Sequence, residues 1–172
     1  MADANAFISR AFAQDYWGSH GYTFATYSED EQDAAIVRAT QYLSDAFSWK
    51  GYRRKPRNYA VAAENQGLEW PRTGVVDGDG YAVPHNVIPM QLKWATAEVA
   101  FYELQNPNAF QPVHDASNVV RMEKVGPLAT TYDTARHTTW GARPELLAVQ
   151  DLIGEFIKVG KGSVMAGKVV RG

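Results

Sequence analysis

The feature that most constrains the fold is one long amphipathic stretch that begins with a helix-capping signal. Ser28 followed by Glu31 is the pattern of a capping box, and Glu29 and Asp30 suit the positive end of a helix dipole. Apolar residues then recur every three or four positions, at Ile36, Ala39, Leu43 and Phe47. The pattern predicts a helix over about residues 29–47 whose apolar side is buried against other elements.

Three further segments have helical periodicity. The first spans residues 6–16, the next begins at Pro89 as its first helical position and stops at Asn106, and the last spans residues 143–157. Their predicted inward positions are Phe7, Ile8, Ala11, Phe12, Leu92, Ala95, Val99, Tyr102, Leu146, Val149, Ile153 and Ile157. Four helices without a repeat predict a small helical bundle.

The rest of the chain predicts one hairpin and long loops. Residues 119–125 and 128–132 have strand composition, with Gly126-Pro127 as the turn between them. Residues 48–87 have no sustained period and predict a long loop, in which residues 76–81 form a tight turn because Asp-Gly pairs adopt positive φ readily. The predicted fold is mainly α, with a helical domain over residues 1–158 and an extended C-terminal arm over residues 159–172.

Composition excludes several functions. The 172 residues include no cysteine, and this rules out disulfides, zinc–thiolate sites and cysteine nucleophiles. The formal net charge is −2, so contact with nucleic acid would need a local basic patch. The first residues do not resemble a signal peptide, and no apolar run approaches the ~18 residues of a membrane span.

No group of residues has the spacing of a catalytic or metal site. The four histidines are isolated in predicted loops: His20, His85, His114 and His137. Asp77 and Asp79 begin like a calcium loop, but the remaining ligands are missing and a hairpin turn explains them better. We therefore expect no enzyme activity, no catalytic or metal-binding residues and no cofactor.

A basic segment with interleaved aromatic residues is the first candidate binding feature. Residues 49–59 contain no acidic residue, and their cations are Lys50, Arg53, Arg54, Lys55 and Arg57. Cations pair with phosphates and aromatic rings stack on bases, so the composition suits single-stranded nucleic acid. A solvated loop and a surface for an acidic protein partner are the alternatives, and we expect any DNA binding here to be weak and non-specific.

The second candidate binding feature is the C-terminal tail, residues 158–172. It is rich in glycine, has no acidic residue and carries both apolar and cationic side chains. The residues expected to contact a partner are Lys161, Val164, Met165, Lys168, Val169, Val170 and Arg171. The mixture predicts an arm that becomes ordered on a partner, and the alternative is a solvated end.

A third motif, Trp70-Pro71-Arg72, lies in the middle of the long loop. Proline fixes its own backbone angle and favours an extended residue before it. We expect Trp70 to be buried and to anchor the loop on the helices. Arg72 should then bond to backbone carbonyls or to an acidic group.

The order of several short motifs resembles the head–tail connector (adaptor) proteins of tailed phages and prophages, many of which are also labelled DnaT-like single-stranded-DNA-binding proteins. The resemblance covers about residues 6–158. The motifs that carry it are Ala39–Leu43, Leu68–Arg72, Gly80-Tyr81, Ile88–Thr96, Glu123–Pro127 and Tyr132-Asp133.

The resemblance implies a helical bundle with a small β element, assembled as a ring of about twelve subunits beneath the portal. It implies a virion protein of the neck, present in the host cytoplasm during assembly, with genomic DNA passing non-specifically through its channel. Its partners would be the portal, reached by residues 159–172, and a tail-side neck or tail-completion protein. The aromatic loop over residues 16–27 and the Trp70 loop would supply lateral surfaces. The alternative function is a DnaT-like single-stranded-DNA-binding replication accessory.

Overall fold

The computed structural model describes residues 5–53, 67–110, 122–125, 128–131 and 146–158. Its helices are α1 (Arg10–Ser19), α2 (Glu29–Ala46), α3 (Met90–Gln105) and α4 (Leu147–Ile153), and α4 continues into a 3-10 turn at Gly154–Phe156. The helix α3 packs against all three others. The prediction of a mainly helical bundle is confirmed. None of the described helices is long and apolar enough to cross a membrane.

Helix α2 begins at the predicted capping box. The Glu31 N–H donates to Ser28 Oγ at 3.3 Å, and the Ser28 N–H donates to Glu31 Oε2 at 2.7 Å. These two bonds satisfy donors that the first helical turn would otherwise leave free. The bonds from Ser28 also lower the pKa of the Glu31 carboxyl. The predicted apolar side of α2 is buried at Ile36, Ala39 and Leu43.

Helix α3 lies at the centre of the bundle, and buried side chains occur around most of its circumference. Leu92, Ala95 and Val99 are buried as predicted. The helix stops at Asn106, whose N–H donates to the Tyr102 carbonyl at 2.9 Å. Pro89 is the capping residue with ψ 146°, and not the first helical residue as the sequence suggested, so the helix begins one residue later.

Helix α1 does not begin at residue 6 as predicted. Ser9 caps it by accepting the Phe12 N–H at 3.3 Å, and the helix runs on to Ser19. Phe7 and Ile8 are buried as expected, but they lie before the helix. The buried side of α1 consists of Ala13 and Trp17, a four-residue spacing that the shorter prediction could not include.

Helix α4 begins at Leu147, later than the predicted residue 143. Leu146 is extended, with φ −94° and ψ 101°, so the helix cannot include it. The predicted inward residues Val149 and Ile153 are buried. The helix then tightens into the 3-10 turn, which has fewer residues per turn. As a result Phe156 is buried, whereas Ile157, predicted to point inward, is only half-buried.

Two small antiparallel sheets complete the described fold. Strands β3 (Met122–Val125) and β4 (Leu128–Thr131) form the predicted hairpin, with Val125 opposite Leu128. Strands β1 (Tyr52–Arg53) and β2 (Arg72–Thr73) also pair. The prediction that residues 48–87 form only a loop and a turn is therefore wrong, because a two-residue pairing is too short to leave a period in the sequence.

Several aromatic residues of the two loops proposed as lateral surfaces of a ring pack into or against the core of their own subunit. Trp17 and Trp70 are buried, and the Trp17 Nε1–H donates to the Ala97 carbonyl at 2.9 Å. Tyr22 stacks on Phe101 of α3, with ring centroids 4.3 Å apart. Large aromatic side chains release the most free energy when they leave water, and these find partners within their own subunit.

Candidate nucleic-acid interface

Three buried aromatic rings support the start of the basic segment. Trp49, Trp70 and Phe156, here called the aromatic pedestal, meet edge to face, with ring centroids 5.8 Å (Trp49–Trp70) and 5.7 Å (Trp70–Phe156) apart. The side chain of Trp70 is 1% exposed, as the sequence predicted. Neither indole N–H of the pedestal has a hydrogen-bond partner in the described part of the chain. The two tryptophans therefore act through packing.

Arg72 holds two stretches of chain together above the pedestal. Its guanidinium donates to the carbonyls of Lys50 at 2.8 Å and Gly51 at 3.0 Å. It also donates to the carbonyl and the carboxylate of Glu69. These are the carbonyl and acidic partners that the sequence predicted for Arg72. The arginine fixes the segment before β1 against the turn that precedes β2.

Replacing Arg72 with alanine should lower the free energy of unfolding by about 2 kcal/mol, because the substitution leaves the half-buried Glu69 carboxylate and several carbonyls with fewer donors. Chemical denaturation followed by tryptophan fluorescence measures the change. Arg72→Lys serves as the matched control, since it keeps the charge but cannot reproduce the planar set of donors. Equal stability of wild type and Arg72→Ala would show that these bonds contribute nothing.

The short β1–β2 ribbon presents its first strand to solvent. Tyr52 is 75% exposed, and the Arg53 side chain is 52% exposed. Gly51 precedes them with φ +69°, and a β-carbon at this position would clash with the Thr73 carbonyl and lie 2.7 Å from Val75 Cγ2. Glycine is needed here because the two strands approach each other so closely. An exposed aromatic ring and a half-exposed guanidinium thus come from consecutive residues of this strand, on opposite faces of the ribbon.

The predicted basic residues divide into two groups. Lys50 and Arg53 are described: the Lys50 Nζ donates to the Glu155 carbonyl at 2.7 Å, and Arg53 pairs with the Glu69 carboxylate. Glu69 also pairs with Arg72, so one carboxylate is shared by two arginines. Arg54, Lys55 and Arg57 lie outside the described residues.

The tight turn predicted over residues 76–81 is present next to the ribbon. Val76 pairs with Ala82, and the Asp77 carboxylate accepts the N–H groups of Asp79 at 3.1 Å and Tyr81 at 2.8 Å. Asp77 therefore stabilises its own turn. In the described ranges, no group of three or more acidic or histidine side chains is arranged to hold a metal ion.

Glu155 ties this turn to the helices. Its carboxylate accepts the Gly78 N–H at 2.6 Å and the Gln91 Nε2–H at 3.1 Å. Gln91 lies in the first turn of α3, and Glu155 lies in the 3-10 turn after α4. One side chain thus joins three parts of the chain that are far apart in sequence.

The end of the described chain lies beside the start of the basic segment. The Lys50 N–H donates to the Phe156 carbonyl at 2.8 Å, and the Lys158 N–H donates to the Ser48 carbonyl at 2.7 Å. Trp49 and Ile157 form the antiparallel bridge between these bonds. The tail residues 159–172, with every predicted arm contact, lie outside the described residues.

The described charges around the ribbon are balanced. The cations are Lys50, Arg53, Arg72 and Lys158, and the anions are Glu69, Asp77, Asp79 and Glu155. A balanced surface does not attract phosphate strongly. In sequence, further cations follow Arg53 and Lys158, at positions that lie outside the described residues.

A second polar cluster, which the sequence analysis did not identify, lies towards the other end of α3. The Glu98 carboxylate accepts the hydroxyls of Tyr16 at 2.8 Å and Tyr22 at 3.1 Å. Burial, together with the adjacent carboxylate, raises the pKa of both tyrosines. A groove of about 760 Å³ between α3 and the start of α4 opens beside them. In the sequence, the one sign of this cluster is Glu98, a charged residue in a mostly apolar stretch of α3.

Comparison with known proteins places the chain in a family. A family model described as "Putative DnaT-like ssDNA binding protein" matches residues 1–172. The curated proteins contain no significant match, and the solved structures contain none. The DnaT-like label is one of the two that the motif order suggested, and the connector label has no support from these comparisons. The chain belongs to the DnaT-like family.

Proposed function

We propose that this protein binds single-stranded DNA weakly and without sequence preference, through Tyr52 and Arg53 of the ribbon. The observation that carries the proposal is the exposure of the Tyr52 ring on a strand that Arg72 and the pedestal hold in place, followed by the half-exposed Arg53, whose charge Glu69 partly neutralises. The description of the family points in the same direction.

The physical argument rests on stacking more than on charge. Every base has a flat face, so an exposed tyrosine can stack on any sequence, and such contacts contribute about 1–3 kcal/mol per base. Phosphate pairing depends on the excess of cations, and the described surface has none. Binding should therefore fall in the non-specific range of Kd, about 10⁻⁴–10⁻⁶ M at physiological salt.

Replacing Tyr52 with alanine should weaken binding of a fluorescently labelled oligothymidine about tenfold, as measured by fluorescence anisotropy. Tyr81→Ala is a matched control, because Tyr81 is 72% exposed on the neighbouring turn whereas Tyr52 is 75% exposed. Tyr81 lies beside Asp77 and Asp79, which repel phosphate. Equal affinities of wild type and Tyr52→Ala would refute the proposed surface.

We propose a binding role and no catalytic one, with no cofactor and no metal. The described ionisable groups at the interface are occupied in structural bonds: Asp77 stabilises a turn, and Glu155 joins the turn to α3. The Glu69 carboxylate holds two arginines. None of these is positioned as a nucleophile with an adjacent base.

The second candidate is a head–tail adaptor, as the motif order suggested. Two observations favour it: the fold is the helical bundle with a small β element that the resemblance implies, and the cations Lys50 and Arg53 are already bonded within the chain. A channel that DNA must pass through should not hold phosphate tightly. In this role the protein would form a ring of about twelve subunits in the virion neck, between the portal and a tail-side protein.

Negative-stain electron microscopy of the purified protein separates the two candidates. The adaptor role predicts closed rings, alone or on added portal, whose formation does not depend on DNA. The DNA-binding role predicts no ring in the absence of DNA, and oligonucleotide binding by the isolated protein.

A further inference from the structure

The groove between α3 and the start of α4 has the size and the lining of a binding site. Its volume is about 760 Å³, within the roughly 300–1,000 Å³ of typical ligand pockets. Most of the lining is apolar or aromatic, and it includes Phe101 and Tyr102 of α3 and Leu146, Leu147 and Val149 at the start of α4. In such a lining, a few polar groups usually fix the orientation of the ligand.

The charged group of this lining is the carboxylate of Glu98. No described residue that lines the groove is a lysine, arginine or histidine, and Glu98 takes part in no salt bridge within the described ranges. Its described partners are the hydroxyls of Tyr16 and Tyr22. Burial, together with the carboxylate, raises the pKa of both tyrosines, so they remain neutral donors. The groove therefore has a negative charge that no described salt bridge neutralises.

The Glu98 carboxylate can accept a further hydrogen bond. The Tyr16 hydroxyl donates to Oε1 at 2.8 Å, and the single hydroxyl hydrogen of Tyr22 is shared between Oε1 at 3.1 Å and Oε2 at 3.2 Å. A carboxylate offers about four acceptor positions, so Oε2 has capacity for another donor. Glu98 is half-buried, and this leaves the carboxylate accessible from the groove.

The rim of the groove exposes a large apolar side chain. Leu147 lines the groove and is 70% exposed, although it is the first residue of α4. A small molecule held inside the groove would leave this side chain in water. A longer ligand that crosses the rim would cover it, and burial of the side chain would favour binding. The exposure of Leu147 thus favours a polypeptide segment as the ligand.

We propose that the groove binds a segment of a partner protein in which one arginine is flanked by apolar residues. The guanidinium pairs with Glu98, and the flanking side chains cover Leu147. An arginine suits the site better than a lysine, because the guanidinium is planar, is more weakly hydrated and stacks on aromatic rings as well as pairing with carboxylates. This inference does not depend on DNA binding by the ribbon, and it assigns a second binding surface to the protein.

The test titrates the isotope-labelled full-length protein with the blocked peptide acetyl-Leu-Arg-Leu-amide. Nuclear magnetic resonance follows the backbone signals of Thr23, Leu147 and Ala148, which line the groove. The control peptide has citrulline in place of arginine, because citrulline has nearly the same shape and no charge. The arginine peptide should shift these signals saturably, and the citrulline peptide should bind about tenfold more weakly, the effect of losing one hydrogen bond to a charged group.

Three variants locate the contact. Glu98→Gln keeps the shape of the side chain and an acceptor for the tyrosine hydroxyls, and it should bind the two peptides equally weakly. Leu147→Ser, at an exposed position, should weaken binding of both peptides. Glu29→Gln removes a carboxylate that does not line the groove, and it should bind as wild type. Urea denaturation of each variant verifies that the fold is retained.

The comparison of the two peptides on the wild-type protein does not depend on the folding of any variant. Equal binding of the arginine and citrulline peptides, or no signal shifts with either of them, would overturn the inference. Unchanged binding of the arginine peptide by Glu98→Gln would also overturn it. Tyr52→Ala separates this inference from the proposed function, because that variant should lose affinity for the oligonucleotide and keep its affinity for the arginine peptide.

Discussion

Replacing Trp70 with alanine is expected to lower the free energy of unfolding by about 3–5 kcal/mol, the range measured when large aromatic residues are removed from protein cores. Trp70 contacts the rings of Trp49, which follows α2, and Phe156, which follows α4. Its removal leaves a cavity at the point where those segments meet. Urea denaturation followed by far-UV circular dichroism measures the change without relying on tryptophan fluorescence.

Two controls show whether packing is the cause. Trp70→Phe should cost much less than Trp70→Ala, because the Trp70 indole N–H has no partner among the described residues and only part of the volume is lost. Trp94→Ala, at a site 39% exposed on α3, should cost less than Trp70→Ala as well. A Trp70→Ala protein that unfolds at the wild-type urea concentration would reject the role of Trp70 as an anchor.

Replacing Glu103 with alanine should also lower the free energy of unfolding, by about 2 kcal/mol, because it leaves the Arg38 Nε–H and the Asn108 N–H without their acceptor. Glu103 is buried on α3, where its Oε1 accepts the Arg38 Nε–H at 2.7 Å and the Asn108 N–H at 2.8 Å. The first bond joins α2 to α3. The second bond holds Asn108, which lies beyond the end of α3 and has φ +65°.

The matched control for Glu103 is Glu29→Ala in the exposed ion pair with Arg10. Exposed pairs contribute little, so Glu29→Ala should change the free energy of unfolding by less than about 1 kcal/mol. Similar effects of the two substitutions in thermal or urea denaturation would contradict the assignment of Glu103 as a structural carboxylate of the core.

Local signals in the sequence predicted most of the bundle. The capping box at Ser28 and the stop at Asn106 depend on neighbouring residues, so the bounds of α2 and the end of α3 followed directly. The hairpin of β3 and β4 followed from strand composition around a short turn. The burial of Trp70 followed from an aromatic residue beside proline in an otherwise polar loop.

Contacts between distant parts of the chain could not be predicted in this way. The pairing of Tyr52–Arg53 with Arg72–Thr73 spans only two residues on each side, too few to produce a recognisable period. The bridge between Trp49 and Ile157 depends on where α4 ends, and the sequence placed the start of that helix too early. The adjacency of Ser48–Lys50 and Phe156–Lys158 is therefore a finding of the structure alone.

The central claim, weak and non-specific binding of single-stranded DNA, is tested most directly by titrating the wild-type protein into labelled oligothymidine and a mixed-sequence oligonucleotide at about 50 and 200 mM salt. The two oligonucleotides should bind with similar Kd values of about 10⁻⁶ M or weaker at the higher salt, and more tightly at the lower salt. No binding at either salt concentration, or submicromolar binding that salt does not weaken, would contradict the claim.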